Sequence, residues 1–127
     1  MTKQYIENKK EYFYFVFRII IGFLFLLHGM SKVQGIYSGN MSLWGLMTLA
    51  AAIETIGGLF LIIGLLTRYV AAISAIEMVF AYFMAHASKG LNPLVNKGET
   101  AILFFAAFLV IMTFGAKKWA IDNLFKK

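Results

Sequence analysis

Three ionisable residues lie inside long apolar segments of the sequence. Glu54 and Glu77 each stand near the middle of an uninterrupted apolar run, and Arg18 lies inside a third run. A charge is costly in hydrocarbon, so such residues face other protein groups and are candidates for ligand binding or proton handling. We expect Arg18 to bridge to Glu54, Glu77 or both, with one glutamate holding a proton because one cation cannot neutralise two carboxylates. A structural ion pair that fixes helix register is the alternative.

A second set of polar residues stands at the ends of the apolar segments. His28 and Lys32 end the first segment and are one helical turn apart, so they project in the same direction. His86 ends the third segment, and Glu99 begins the fourth. In an antiparallel bundle these four residues reach similar depth, and we predict that they line the mouth of a pocket for an anionic or carbonyl-bearing ligand. Ordinary snorkelling and helix capping are the alternative.

The loop before the fourth segment carries its own signals. Asn92-Pro93 predicts a turn. Asn96, followed three positions later by Glu99, predicts a capping box that opens the fourth helix, although both, like Asn92, are also ligand-binding candidates. Two histidines without further ligands do not make a metal site, so no metal is predicted.

Composition decides the class of protein. The chain has 127 residues, of which 61% are hydrophobic and 14% are charged, whereas a soluble domain is about a quarter charged. A soluble core of this size cannot hide so much apolar surface, so lipid must be the solvent. The net charge of +6 comes largely from lysines that flank the apolar segments, which argues against nucleic-acid binding. The chain has no cysteine, which excludes thiolate chemistry and cysteine-ligated metal centres within it.

Four apolar segments predict the fold. They are too long for strands and lack period-two alternation, so each predicts a helix. The first is followed by no small-residue cleavage site and is interpreted as a retained helix rather than a signal peptide. The fold class is therefore all-α, an integral membrane antiparallel four-helix bundle, with segments at 13–30, 43–66, 69–86 and 100–115.

The distribution of lysine and arginine predicts the topology. Basic residues cluster before the first segment and after the last, and few lie on the opposite side. The positive-inside rule then gives a multi-pass plasma-membrane protein with both termini cytoplasmic. The predicted divisions are a cytoplasmic tail at 1–12, a four-helix domain at 13–115 and a basic cytoplasmic tail at 116–127. Aromatic residues at the predicted membrane surfaces fit interfacial belts: Tyr12, Trp44, Tyr69 and Trp119.

Small residues predict where the helices approach each other. Gly22 lies on the same face of the first segment as Arg18, and Gly57, Gly58 and Gly64 follow Glu54 on the second. Small residues let helices pack closely in lipid, so these four glycines are the predicted packing positions and Glu54 faces a neighbouring helix.

Taken together, these stretches resemble the DoxX family of small four-helix membrane proteins. The matching positions are Arg18, Gly22, His28-Gly29, Lys32, Glu54-x-x-Gly57-Gly58, Gly64, Arg68, His86, Asn92-Pro93, Asn96 and Gly98-Glu99. The family takes its name from a membrane component of archaeal terminal-oxidase and thiosulfate:quinone oxidoreductase systems. The resemblance therefore implies a redox-associated, quinone-linked membrane protein.

Three functions follow from these observations. The leading hypothesis is a membrane subunit of a redox system, with a polar pocket for a quinone, no covalently bound cofactor, and a redox subunit or a second copy of the chain as partner. The second is a small proton-coupled transporter or permeation unit that uses the same carboxylates. The third is a structural or assembly factor for other membrane proteins. Whether the chain is itself catalytic stays open.

Overall fold

The computed structural model describes residues 2–40 and 45–126, and throughout this part of the chain the regular structure is helical, with no strand. Trp44, predicted to lie in an aromatic belt, and the terminal Lys127 fall outside the described residues. The elements in chain order are α1 (Lys3–Tyr37), α2 (Leu46–Ile63), α3 (Thr67–Ala81), a π-helical turn (Tyr82–His86), a 3₁₀ turn (Ala87–Lys89), α4 (Pro93–Asn96), α5 (Glu99–Phe114) and a 3₁₀ turn (Ile121–Leu124).

Three helical stretches are long and apolar enough to cross a membrane. They are Lys3–Tyr37, Leu46–Ile63 and Thr67–Lys89. The last of these is α3 continued by the two turns that follow it. Helix α5 has the same apolar character but only 16 residues, a rise of about 24 Å against a hydrocarbon core of about 30 Å.

The ends of the helices differ from the predicted segments for local reasons. Helix α1 extends well beyond 13–30 on both sides, and its 35 residues span about 52 Å. Helix α2 ends before the predicted boundary at 66 because Gly64 adopts a left-handed conformation with φ of 70°. Glycine takes this conformation without steric cost and commonly stops a helix.

The backbones of α1 and α2 touch at glycines. A Cβ atom added to Gly29 would lie 2.4 Å from the backbone nitrogen of Thr55, and one added to Gly58 would lie 2.5 Å from that of Leu26. Gly22 meets the carbonyl oxygen of Gly58 in the same contact. This close approach brings the polar residues of the two helices within direct reach of each other.

An aromatic cluster forms the core where α1 meets α5. Phe25 is fully buried, and its ring centroid lies 5.4 Å from that of Phe104 and 4.7 Å from that of Phe108. Helix α3 packs along α5 and closes the cluster with Ala71, Ala75 and Met78. Large apolar side chains such as Phe23 and Ile76 are more than half exposed, as expected for faces that lie in lipid.

Candidate functional site

A polar cavity of about 310 Å³ opens at one end of the helices, above the aromatic cluster. Its walls combine apolar side chains with amines, imidazoles and one carboxylate. They are formed by Phe25, His28, Lys32, Glu54, Met78, Ala81, His86, Lys97, Thr100, Ala101 and Phe104. This combination of apolar walls and few polar groups is typical of a small-molecule site.

An ion pair between α1 and α2 lies in the wall of the cavity. The Lys32 Nζ atom donates to both carboxylate oxygens of Glu54, at 2.8 Å and 2.7 Å. The side chain of Glu54 is 4% exposed and that of Lys32 is 23% exposed. The close α1–α2 contact at Gly29 positions this pair, since Gly29 packs against Thr55 and the carbonyl carbon of Glu54. Both members of the pair line the cavity.

Glu77 belongs to the same charged group. Both of its carboxyl oxygens are buried without a hydrogen-bond partner in the described residues. Its charge interacts with those of Glu54 and Lys32. The buried hydroxyl of Ser74, one helical turn away on α3, also lacks a partner within residues 2–40 and 45–126. The cation that acts on Glu54 and Glu77 is therefore Lys32 and not Arg18.

The two histidines line the cavity from different elements, His28 from α1 and His86 from the π-helical turn. The His28 ring stacks edge-on against Phe104 with centroids 5.4 Å apart. His86 lies in the π-helical turn and its Nδ1 is 3.1 Å from the carbonyl oxygen of Asn96. Because a carbonyl only accepts, this contact requires the proton on Nδ1 and leaves Nε2 as the acceptor of a neutral ring. Turns of this π-helical kind are frequent at functional sites.

The loop after His86 is held by Asn96. Its side-chain amide donates to the Gly90 carbonyl at 2.8 Å and to the Tyr82 hydroxyl at 3.2 Å, and its Oδ1 accepts from Gly98 N. The predicted capping box is wrong, since Gly98 is the N-cap of α5 and no side chain caps it. Asn96 instead bonds the backbone two residues on, which tightens the loop.

Asn92 and Glu99 lie outside the cavity wall. The predicted turn at Asn92-Pro93 is the start of α4, where the Asn92 side chain accepts from Leu94 N at 3.0 Å. Glu99 is exposed in the first turn of α5, near the positive end of that helix. The described residues hold no group of three or more histidine or acidic side chains placed to bind a metal ion.

Arg18 lies far from this cavity, and the predicted bridge from Arg18 to Glu54 or Glu77 is wrong. The fully buried guanidinium donates to the carbonyl oxygens of Ala116, Lys118 at 3.2 Å and Trp119 at 2.9 Å. These carbonyls belong to residues 115–126, the C-terminal strap, which crosses the opposite end of the helices. A planar guanidinium suits several carbonyls at once, and it is neutralised here by backbone dipoles.

Further contacts fasten the strap to the start of α3 and join α3 to the end of α5. The Asp122 carboxylate accepts from the backbone nitrogens of Leu66 at 2.6 Å and Thr67 at 2.9 Å, at the start of α3. Arg68 donates to the Met112 and Thr113 carbonyls at the end of α5. Desolvation alone would raise the pKa of Asp122, but the hydrogen bonds from Thr67 and Leu66 outweigh it and lower that pKa below its ordinary value.

Sequence reasoning missed both the strap and part of the cavity. Asp122 is the one acidic residue that follows Glu99 in the chain, and an isolated aspartate within a basic tail was a usable signal for a helix cap. Lys97, Met78 and Phe104 line the cavity, yet their positions relative to the other helices depend on packing. Of the predicted mouth residues, His28, Lys32 and His86 meet in the cavity wall and Glu99 does not.

Comparisons with known proteins relate this arrangement to one family. The model of the DoxX family matches residues 13–87. An "Uncharacterized protein" of Haemophilus influenzae is 38% identical, covering 96% of this chain and 97% of its own. The Bacillus subtilis protein named "Putative oxidoreductase CatD" is 31% identical, covering 83% of this chain and 81% of its own. No solved structure matches the chain significantly.

Proposed function

The chain belongs to the DoxX family, and we propose that it is a membrane subunit of a redox system whose polar cavity binds the ring of a quinone-like amphiphile. One observation carries the proposal: aromatic walls and proton-bearing side chains meet in a single cavity of about 310 Å³. This volume lies at the small end of ligand sites. It suits one substituted ring, with an apolar tail left in lipid.

The chemistry of the wall fits carbonyl recognition. Phe104, supported from behind by the buried Phe25, offers an aromatic surface for a ligand ring. Lys32 and His28 offer hydrogen-bond donors to the carbonyl oxygens of a quinone and can supply protons when the quinone is reduced, whereas the Nδ1 proton of neutral His86 is taken by the Asn96 carbonyl. Glu54 holds Lys32 in place by the two hydrogen bonds at its carboxylate. We assign binding and proton supply to this chain, and electron delivery to a partner membrane protein.

The proposed topology is an antiparallel four-helix bundle in the plasma membrane, with α5 as the short fourth span. Exposed apolar residues on α5, including Leu103 and Val110, support contact with lipid. Four spans place both termini on one side, and the lysines of the N-terminus and the strap make that side cytoplasmic by the positive-inside rule. The cavity then opens toward the outer leaflet.

The test is quinone binding by a cavity-filling variant. Decylubiquinone is titrated into the protein in lipid nanodiscs, and we expect Ala81→Phe, which fills the cavity wall, to weaken binding at least about tenfold, or roughly 1.4 kcal/mol. Ala106→Phe places the same side chain on an exposed face of α5 and should bind as the wild type does. Equal affinity in both variants, or no binding by the wild type, would refute the proposal.

A proton-coupled transporter is the second candidate, favoured by the buried charges of Lys32, Glu54 and Glu77. Intramembrane carboxyl groups of this kind serve as proton relays in transporters. A pH-sensitive dye trapped in proteoliposomes distinguishes the two functions. Proton flux that Glu54→Gln abolishes would favour transport, whereas tight liposomes that still bind decylubiquinone would favour the redox subunit.

A further inference from the structure

The charges of Lys32, Glu54 and Glu77, which interact with one another beside the cavity, do not balance if all three groups are ionised. Lys32 supplies one positive charge, and Glu54 and Glu77 would supply two negative charges. Helix α5 packs on α3 with apolar residues such as Phe104 and Phe108. A second cation, Lys97, also lines the cavity, but it is exposed and makes no ion pair with either glutamate among the described residues. His28 and His86 lie in the cavity wall, where His28 contacts Phe104 and His86 contacts the Asn96 backbone.

The hydrogen bonds show which of the two glutamates lacks a positively charged partner. Glu54 accepts two hydrogen bonds from the Lys32 ammonium, one at each carboxylate oxygen. The oxygens of Glu77 receive none from the described residues, although they are buried. Besides the charge of Lys32, the side chain close enough to affect Glu77 is the carboxyl group of Glu54. Two carboxyl groups that face each other form a hydrogen bond only when one of them carries a proton.

We propose that Glu54 and Glu77 share a single proton, which makes the Lys32–Glu54–Glu77 group electrically neutral and provides a proton store beside the cavity. The proton lies on Glu77 while Lys32 is paired with Glu54. When a ligand draws the ammonium away, Glu54 loses its counter-ion and accepts this proton or one from solvent. The inference deepens the proposed function and rests on it only for the identity of that ligand.

Infrared spectroscopy of the protein in nanodiscs, without added quinone, detects the proton directly. A protonated carboxyl group has a C=O stretching band that carboxylates lack and that shifts in D₂O. We expect the wild type to show this band at neutral pH and Glu77→Gln to lose it. Glu54→Gln should lose it too, because Lys32 then pairs with Glu77 and ionises it. If Glu77 were protonated independently of Glu54, the Glu54→Gln variant would keep the band. That result would refute a proton shared between the two glutamates.

Removing the positive charge of Lys32 should enlarge the C=O band instead of abolishing it. In Lys32→Gln neither carboxylate has a counter-ion, so both become protonated and the band should about double in area relative to the wild type. Glu7→Gln, an exposed glutamate near the start of α1, is the matched control and should leave the band unchanged. Circular dichroism confirms that each variant is folded.

The outcomes separate this inference from the function of the cavity. A wild type without the band, or an unchanged band in Lys32→Gln, refutes the shared proton whatever the quinone titration shows. If the wild type and the variants show the expected bands but the protein does not bind decylubiquinone, the proposed ligand class is refuted and the shared proton is still supported.

Discussion

The two ends of the helices handle buried charge in opposite ways. At the strap end, Arg18 is fully buried and its charge is met by backbone carbonyls of residues that lie about a hundred positions away in the chain. At the cavity end, Lys32 meets Glu54, and the oxygens of Glu77 receive no hydrogen bond from the described residues. One arrangement consists of fixed dipoles, and the other consists of groups that can gain or lose protons.

The difference indicates what each end does. Carbonyl dipoles do not titrate, so the hydrogen bonds of Arg18 to the strap do not themselves depend on pH, and the one titrating contact of the strap described above is that of Asp122. The Lys32–Glu54 pair faces a cavity and can be rearranged by whatever enters it. A charged residue within a membrane bundle is therefore not by itself evidence for a working site, since its partners decide between a structural and a chemical role.

The largest effect is expected for Arg18→Met. The strap carbonyls then lose a charged donor while they stay covered, and each unsatisfied buried acceptor costs about 1–3 kcal/mol. We expect the free energy of unfolding to fall by roughly 3 kcal/mol, with faster proteolysis of the strap at Lys117. Unfolding in detergent micelles and limited digestion measure the two quantities.

Two further variants sharpen the test at Arg18. Lys10→Met removes an exposed cation from the same helix and should change neither quantity. Arg18→Lys keeps the charge, but an ammonium does not reproduce the planar set of donors. Wild-type stability in Arg18→Lys would show that charge alone holds the strap.

The next effect is expected at the ion pair of the cavity end. Lys32→Met and Glu54→Gln should each lower the free energy of unfolding by about 2 kcal/mol, because each breaks the doubly hydrogen-bonded Lys32–Glu54 pair. Combined, they should cost less than the sum by about 1 kcal/mol. The same thermodynamic cycle for Arg18 and Glu54 should be additive, since Arg18 bonds to the strap. If the Arg18 and Glu54 variants were coupled and the Lys32 and Glu54 variants were additive, the partner of Glu54 would be Arg18 and not Lys32.

A smaller, local effect is expected for Gly29→Ala. The added Cβ would lie 2.4 Å from the Thr55 backbone nitrogen, so α1 and α2 must separate beside Glu54. Overpacking of this kind costs about 1–3 kcal/mol, and we expect weaker decylubiquinone binding with unchanged proteolysis of the strap. Gly57→Ala is the matched control, because its nearest contact is the Val70 side chain at 3.3 Å. Identical behaviour of the two variants would mean that helix separation at Gly29 does not position the cavity.

The smallest effect is a pH dependence of the strap. The pKa of Asp122 is lower in the folded protein than its ordinary value of 3.8. Its contribution to stability is therefore complete above that ordinary value and is lost as the pH falls through the lowered folded pKa. Digestion of the strap by an acid-stable protease should accelerate in that acidic range. Asp122→Asn should be digested faster at neutral pH and show little further acceleration in acid; an unchanged acid response would place the titrating group elsewhere.

Hydropathy and helical spacing were sufficient to predict the class of protein and several of the residues that line the cavity. Long apolar runs without alternation predict helices in any packing, because lipid requires that the backbone bond within each segment. The spacing of His28 and Lys32 placed them on neighbouring turns of α1 before any partner was known. The family resemblance and the membrane character are confirmed, whereas quinone binding and the cytoplasmic termini stay predictions.

The partner of each buried charge was decided only by tertiary structure. Glu54 could pair with Arg18 or Lys32 as far as residue types allow, and the glycine contacts of α1 with α2 place Lys32 opposite it. The acceptors of Arg18 could not be read from side chains at all, because every residue carries a carbonyl and only the path of the strap brings three of them to one guanidinium. Local sequence encodes helices, while long-range packing selects which polar groups meet.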